Sequence, residues 1–126
     1  MRTMRAALWI LLAVGAVACR HKGDPTIAPD PNMPVLVEVE NHFQGDVVIY
    51  LLRGSQKERL GLVTALSNAA FTFPYRRLGS TGSSRLLAYP IAGSSAETSD
   101  PLNIQEGQSV KWTLEGDLSR SSLVVY

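Results

Sequence analysis

The chain has 126 residues, 45% of them hydrophobic, and carries twelve Lys plus Arg against eleven Asp plus Glu. That length holds one domain of ordinary size with short extensions. The near-neutral charge argues against a nucleic-acid partner, because such binding rests on a basic face that neutralises phosphates, and it gives no reason to expect a polyanionic substrate.

The N-terminus is the most informative segment. Arg2 and Arg5 precede an apolar stretch, Ala6 to Ala18, of sequence AALWILLAVGAVA. Its length suits the hydrophobic region of a signal peptide, whereas a spanning helix needs about 20 residues. Removing residues 1–18 takes away Arg2 and Arg5, which leaves ten basic and eleven acidic side chains. The stretch closes on Ala16-Val17-Ala18-Cys19 and turns polar at once with Arg20, His21 and Lys22. Small residues before a single cysteine resemble the lipobox of bacterial lipoproteins, with Ala16 standing where that family usually carries Leu. The resemblance implies that the Cys19 thiol is diacylglycerylated and that cleavage leaves Cys19 as the first residue. The alternative is an ordinary signal peptide cut after Ala18, since Ala16-Val17-Ala18 also satisfies the small-x-small rule. Cys19 is the only cysteine in the chain, so it cannot form an internal disulfide, and acylation gives an otherwise free thiol a role. Each buried acyl CH₂ contributes about 0.8 kcal/mol, so two or three long chains suffice for a stable membrane anchor.

Residues 19–34 then form the lipidated cysteine and its tether. Four prolines, two aspartates and a glycine leave only Ile27, Ala28 and Met33 apolar, too little to bury a core. Extended proline-rich chain at about 3.1 Å per residue spans some 40 Å. His21, Asp24 and Asp30 are spaced too loosely for a metal site and read as solvated linker charges.

From residue 35 to 126 the pattern is β. Val35, Val37 and Val39 alternate with Leu36, Glu38 and Glu40, which predicts a strand with one buried face. A polar turn, Asn41 to Asp46, leads to a second strand, Val47 to Leu52, apolar on both faces. Arg53 to Gln56 turns again, and Arg59 to Thr64 is a third strand whose Gly61 signals a bulge or a close packing approach. Further strands are expected at Ala69–Phe73, Arg85–Tyr89, Pro101–Ile104, Val110–Leu114 and Ser122–Val125. Seven to eight short strands between Gly, Pro, Asn and Asp turns predict an all-β, two-sheet antiparallel sandwich. Its expected core is Val37, Val39, Val47, Ile49, Leu51, Leu60, Leu62, Phe71, Phe73, Leu86, Ala88, Val110, Trp112 and Leu114.

Chemistry is harder to find. Nucleophilic catalysis needs a Ser, Thr or Cys beside a base, yet Cys19 is committed to lipid and His42 is the only histidine after the tether. His42 sits in a turn and reads as structural. No Gly-x-Ser-x-Gly elbow, His-x-x-x-His pair or calcium-type acidic loop occurs, so no catalytic residue, metal or cofactor is expected. Glu38 and Glu40 share a strand face, as any solvent-facing alternation does. The long connection Tyr75 to Ser84, with Tyr75, Arg76 and Arg77 and with Arg85 just after it, is the candidate interaction loop, because Tyr and Arg are favoured at interfaces. The outward face of the second strand (Val48, Tyr50, Leu52) is a second candidate, provided it is exposed.

Taken as a unit, VEVEN, DVVIYL, RLGLV, FTFP, RLLAYPI and EGQSVKWTLE resemble small bacterial lipoproteins with a single sandwich domain, similar in strand order to immunoglobulin-like and transthyretin-like modules. The resemblance implies a fold and a place in the cell envelope, and no activity. Arg20 after the cysteine does not resemble the Asp-containing inner-membrane retention signal, which implies the outer membrane where two membranes exist. The expected function is a non-enzymatic protein-interaction or structural module, anchored to the membrane through Cys19, with an envelope protein as its expected partner. The alternative is a carrier or sensor that holds a small apolar ligand between its sheets.

Overall fold

The computed structural model describes residues 30–80, 82–93 and 95–126. The expected leader 1–18, Cys19 and the expected tether as far as residue 29 lie outside the described residues. Eight strands follow in order: β1 (Pro34–Asn41), β2 (Val47–Arg53), β3 (Gln56–Val63), β4 (Asn68–Pro74), β5 (Ser84–Pro90), β6 (Glu97–Thr98), β7 (Val110–Leu114) and β8 (Ser122–Val125). They make a two-sheet sandwich with sheet orders β4-β1-β7-β8 and β3-β2-β5-β6. We call these the first and second sheets. No helix among the described residues is long and apolar enough to cross a membrane.

The first sheet is mixed, where a wholly antiparallel sandwich was expected. β1 pairs antiparallel with β4 but parallel with β7, in the register Val37↔Val110 and Val39↔Trp112. Parallel neighbours need a long crossover, which here is the whole second sheet together with β4. Alternation in β1 holds as read: Val35, Val37 and Val39 are buried. In β2 the ambiguity resolves with Val47, Ile49 and Leu51 inward and Val48, Tyr50 and Leu52 outward.

β3 departs from the expected phase. Ile49 pairs with Gly61 but Tyr50 pairs with Arg59, so Leu60 is an extra residue in a β-bulge. A bulge flips the parity of everything beyond it. Val63 is therefore buried while Leu62 is 39% exposed, and Leu60 packs only partly against the core. Phe71 is likewise half-buried, lying over Gly61: a Cβ there would come within 2.3 Å of the ring. Gly61 thus meets both readings, a bulge neighbour and a close approach.

The expected strand at Pro101–Ile104 is absent. On the side of β5 away from β2 the partner is the two-residue β6, and the chain then runs on irregularly along β5. Ser99 N–H donates to Leu86 O at 2.8 Å, Ser99 Oγ accepts from Leu86 N–H at 2.9 Å, and Leu102 N–H donates to Ser84 O at 2.8 Å. Leu102 and Ile104 are buried anchors of this segment. Proline at 101 removes a donor and favours this looser seal over a ladder.

Trp112, Ile49, Leu86 and Leu114 fill the space between the sheets, each at most 2% exposed. The Trp112 Nε1–H has no hydrogen-bond partner among the described residues. Asn41 is the buried polar residue that fastens one end of the sandwich. Its amide donates to Gly45 O at 3.1 Å and Thr64 O at 3.0 Å, and its Oδ1 accepts from Phe43 N–H at 3.0 Å. At the opposite end residues 30–33 pack on the domain, with Tyr75 N–H donating to Met33 O at 2.9 Å and Asp30 N–H to Glu106 Oε1 at 2.6 Å.

Candidate functional site

Two outward faces carry the chemistry, and they differ in kind. On the first sheet, Glu38 and Glu40 of β1 meet Lys111 of β7 in a polar network. Glu40 bridges Lys111 Nζ at 2.8 Å and His42 Nε2 at 2.8 Å, while His42 Nδ1 lies 3.2 Å from Glu115. The Tyr126 hydroxyl donates to Glu38 at 2.8 Å. Lys111, then His42, hold the Glu40 carboxyl below its ordinary pKa; Glu40, then Glu115, raise that of His42. Both ring nitrogens of His42 are thus taken by carboxylates, and no Ser, Thr or Cys is bonded to the ring among the described residues. A depression of about 330 Å³ is lined by Glu38, Glu40 and Lys111 together with Asn68, Ala69 and Ala70. Its charged groups are already partnered, Glu40 with Lys111 and Glu38 with Tyr126.

The second sheet presents a different surface, and its rows can be read from the strand register. One row is Leu62, Val48 and Tyr89; the next is Arg59, Tyr50 and Leu87; the third is Lys57, Leu52 and Arg85. Six of the nine positions are apolar or aromatic, three are cationic and none is acidic. Leu62 and Tyr89 are 39% and 51% exposed, while Val48, Tyr50, Leu52 and Leu87 are half-buried. The Lys57 ammonium reaches across the rows to 4.5 Å from the Tyr50 ring centroid and 6.0 Å from that of Tyr89, within range of a cation–π attraction. Lys57, Arg59 and Arg85 form no ion pair among the described residues, whereas Arg77 pairs with Glu58, Lys111 with Glu40 and Arg120 with Asp117.

The four candidate interaction residues fall in two places. Tyr75, Arg76 and Arg77 lie in a 3₁₀ turn, Tyr75–Leu78, in which Leu78 is buried. The Tyr75 hydroxyl donates to Ile104 O at 3.1 Å, Arg76 bonds Asn32, and Arg77 pairs with Glu58. These three are occupied within the fold. Arg85 instead lies on the outer face of the second sheet, where its guanidinium donates to Ser99 O at 3.1 Å. Cys19 lies outside the described residues. Lys57, Arg59, Leu62, Leu87 and Tyr89 are the members of the face that sequence reasoning missed. The alternations Lys57-x-Arg59 and Leu87-x-Tyr89 were the available signal, and the bulge at Leu60 hid that Leu62 shares their side.

No protein-family model matches the chain, and no curated protein matches it. Among solved structures, the chain is similar to an NMR structure of a protein from Eubacterium rectale at 12% identity and a TM-score of 0.46, over 79% of this chain and 92% of that one.

Proposed function

We propose that this chain is an exported lipoprotein, held on a membrane by acyl chains on Cys19, whose sandwich is a non-catalytic module that docks on another envelope protein. The outer membrane is its place in a cell with two membranes. The observation that carries this reading is the outer face of the second sheet, where aromatic and aliphatic side chains are gathered in register, with Leu62 and Tyr89 exposed and the rest half-buried. Monomeric surfaces seldom group apolar side chains in this way without a partner. Tyr and Arg, which dominate binding energy at interfaces, are both present. A small-molecule carrier has less support, since Trp112, Ile49 and Leu86 fill the space between the sheets where such a ligand would sit.

The test is photo-crosslinking in intact cells with the full-length chain, placing a photoreactive residue at Tyr89 on the second sheet or at Thr72 on the first. Docking through the proposed face gives a discrete protein adduct from position 89 and none from position 72. Equal labelling from both positions, or none from either, refutes it.

A further inference from the structure

If the outer face of the second sheet is the docking surface, its charges decide what fits there. We propose that the occupant is a protein that sets carboxylates against an apolar centre, so that Asp or Glu side chains meet Lys57, Arg59 and Arg85. Elsewhere among the described residues Arg77 pairs with Glu58, Lys111 with Glu40 and Arg120 with Asp117, while Arg53 and Arg76 are held by neutral partners, Gln56 and Asn32. On this face the domain leaves three unpaired among the described residues. The chain as a whole is nearly neutral, so the separation is local.

The position of Lys57 sharpens the inference. Its ammonium is not at the rim but over the Tyr50 and Tyr89 rings, in the middle of the area a partner would cover. Burying an ammonium without a counter-charge is strongly unfavourable. A purely apolar partner is therefore disfavoured, and a carboxylate placed opposite Lys57 removes the penalty. The same charge disfavours a symmetric pair of copies meeting through this face, since two such ammonium groups would be brought together. A lipid surface fits less well, because four of the six apolar side chains are half-buried and offer little to insert. An apolar and aromatic patch with Arg59 and Arg85 on the flanking strands matches the enrichment of aromatic residues and Arg at protein–protein interfaces.

The experiment keeps the anchored, full-length chain and the photoreactive residue at position 89, and adds two variants. One reverses all three charges (Lys57→Glu, Arg59→Glu, Arg85→Glu); the other is Lys57→Met, which keeps the stem over the tyrosines and removes the charge. Amounts at the membrane and resistance to protease establish that both remain folded. The expected result is a protein adduct whose crosslinked peptide is rich in Asp and Glu. Its yield falls about tenfold or more on charge reversal, by a smaller factor for Lys57→Met, and declines with salt. An adduct unchanged by charge reversal overturns the acidic partner while leaving the docking face standing. An adduct with a second copy of the chain, or with lipid alone, overturns it in favour of that occupant. Absence of any adduct overturns the docking face itself, and this inference with it.

Discussion

Gly61 offers the most direct test of how the sandwich closes its edge. A methyl group at this position would lie 2.3 Å from Phe71 Cε1 and 3.0 and 3.1 Å from Cδ1 and Cζ of the same ring. Carbon atoms rest at about 3.5–4.0 Å, so the ring must retreat by more than an ångström or the bulge must open. Overpacking of this kind costs about 1–3 kcal/mol. In a domain this small each kcal/mol moves Tm by about 4–8 °C. Gly61→Ala should therefore lower Tm by about 10 °C, followed by circular dichroism or calorimetry. The cause is tested by a double-mutant cycle with Phe71→Ala. With the ring gone the added methyl has room, and replacing Gly within a strand is then neutral or gains a few tenths of a kcal/mol through the unfolded chain. An equal loss from Gly61→Ala in both backgrounds would refute the contact with Phe71 as the reason for glycine.

Three further outcomes follow from local geometry. Asn41 donates to two carbonyls from a buried site, so Asn41→Ala should cost about 2–4 kcal/mol by denaturant unfolding; the isosteric Asn41→Asp should cost at least as much, because a carboxylate cannot donate to either carbonyl. Leu66 is 68% exposed at φ 54°, a left-handed conformation that disfavours a branched side chain, so Leu66→Gly should raise stability by about 0.5–1 kcal/mol and Tm by a few degrees. His42 has its pKa raised by Glu40 first and Glu115 second, so it binds protons more tightly folded than unfolded. Its contribution is thus full below the unfolded pKa and is lost as pH rises through the folded one. NMR titration of His42 should give a midpoint above the ordinary histidine value, and Glu40→Gln should lower it; an unchanged midpoint would sever the link to Glu40.

Much of the fold is legible in the sequence because its cause is local. The period-two patterns of Val35-Val37-Val39 and Val110-Trp112-Leu114 fix which face is buried whatever the strands pair with, and Pro74 and Pro90 mark the ends of β4 and β5. What depends on distant parts of the chain is not legible. The parallel pairing of β1 with β7 leaves no trace in either strand, since alternation is the same for both directions. The bulge at Leu60 is set by how β3 must register on β2, and so Leu60 and Leu62 read as one face when they belong to different environments. The candidate site follows the same division. Val48, Tyr50 and Leu52 can be seen as an apolar stripe in one strand, but their grouping with Lys57, Arg59 and Tyr89 needs the neighbouring strands. The arginines of the Tyr75 turn look free in sequence because Asn32 and Glu58 lie far from them along the chain.

The placement of β1 governs when the domain can become a domain. β1 is an interior strand of its sheet, flanked on one side by β4 and on the other by β7, so the earliest of the described strands is finished by one of the last. Contacts that join early and late segments demand a large loss of chain entropy before they return any stability. A ribosome or translocation channel releasing this polypeptide from its N-terminus would hold the apolar row of β1 without its full complement of neighbours until Val110 to Leu114 had emerged. Through that interval the strand is open to mispairing, and a chaperone that shields extended apolar chain would find its target in residues 34–41. Structure would then arrive in one late cooperative step instead of hairpin by hairpin.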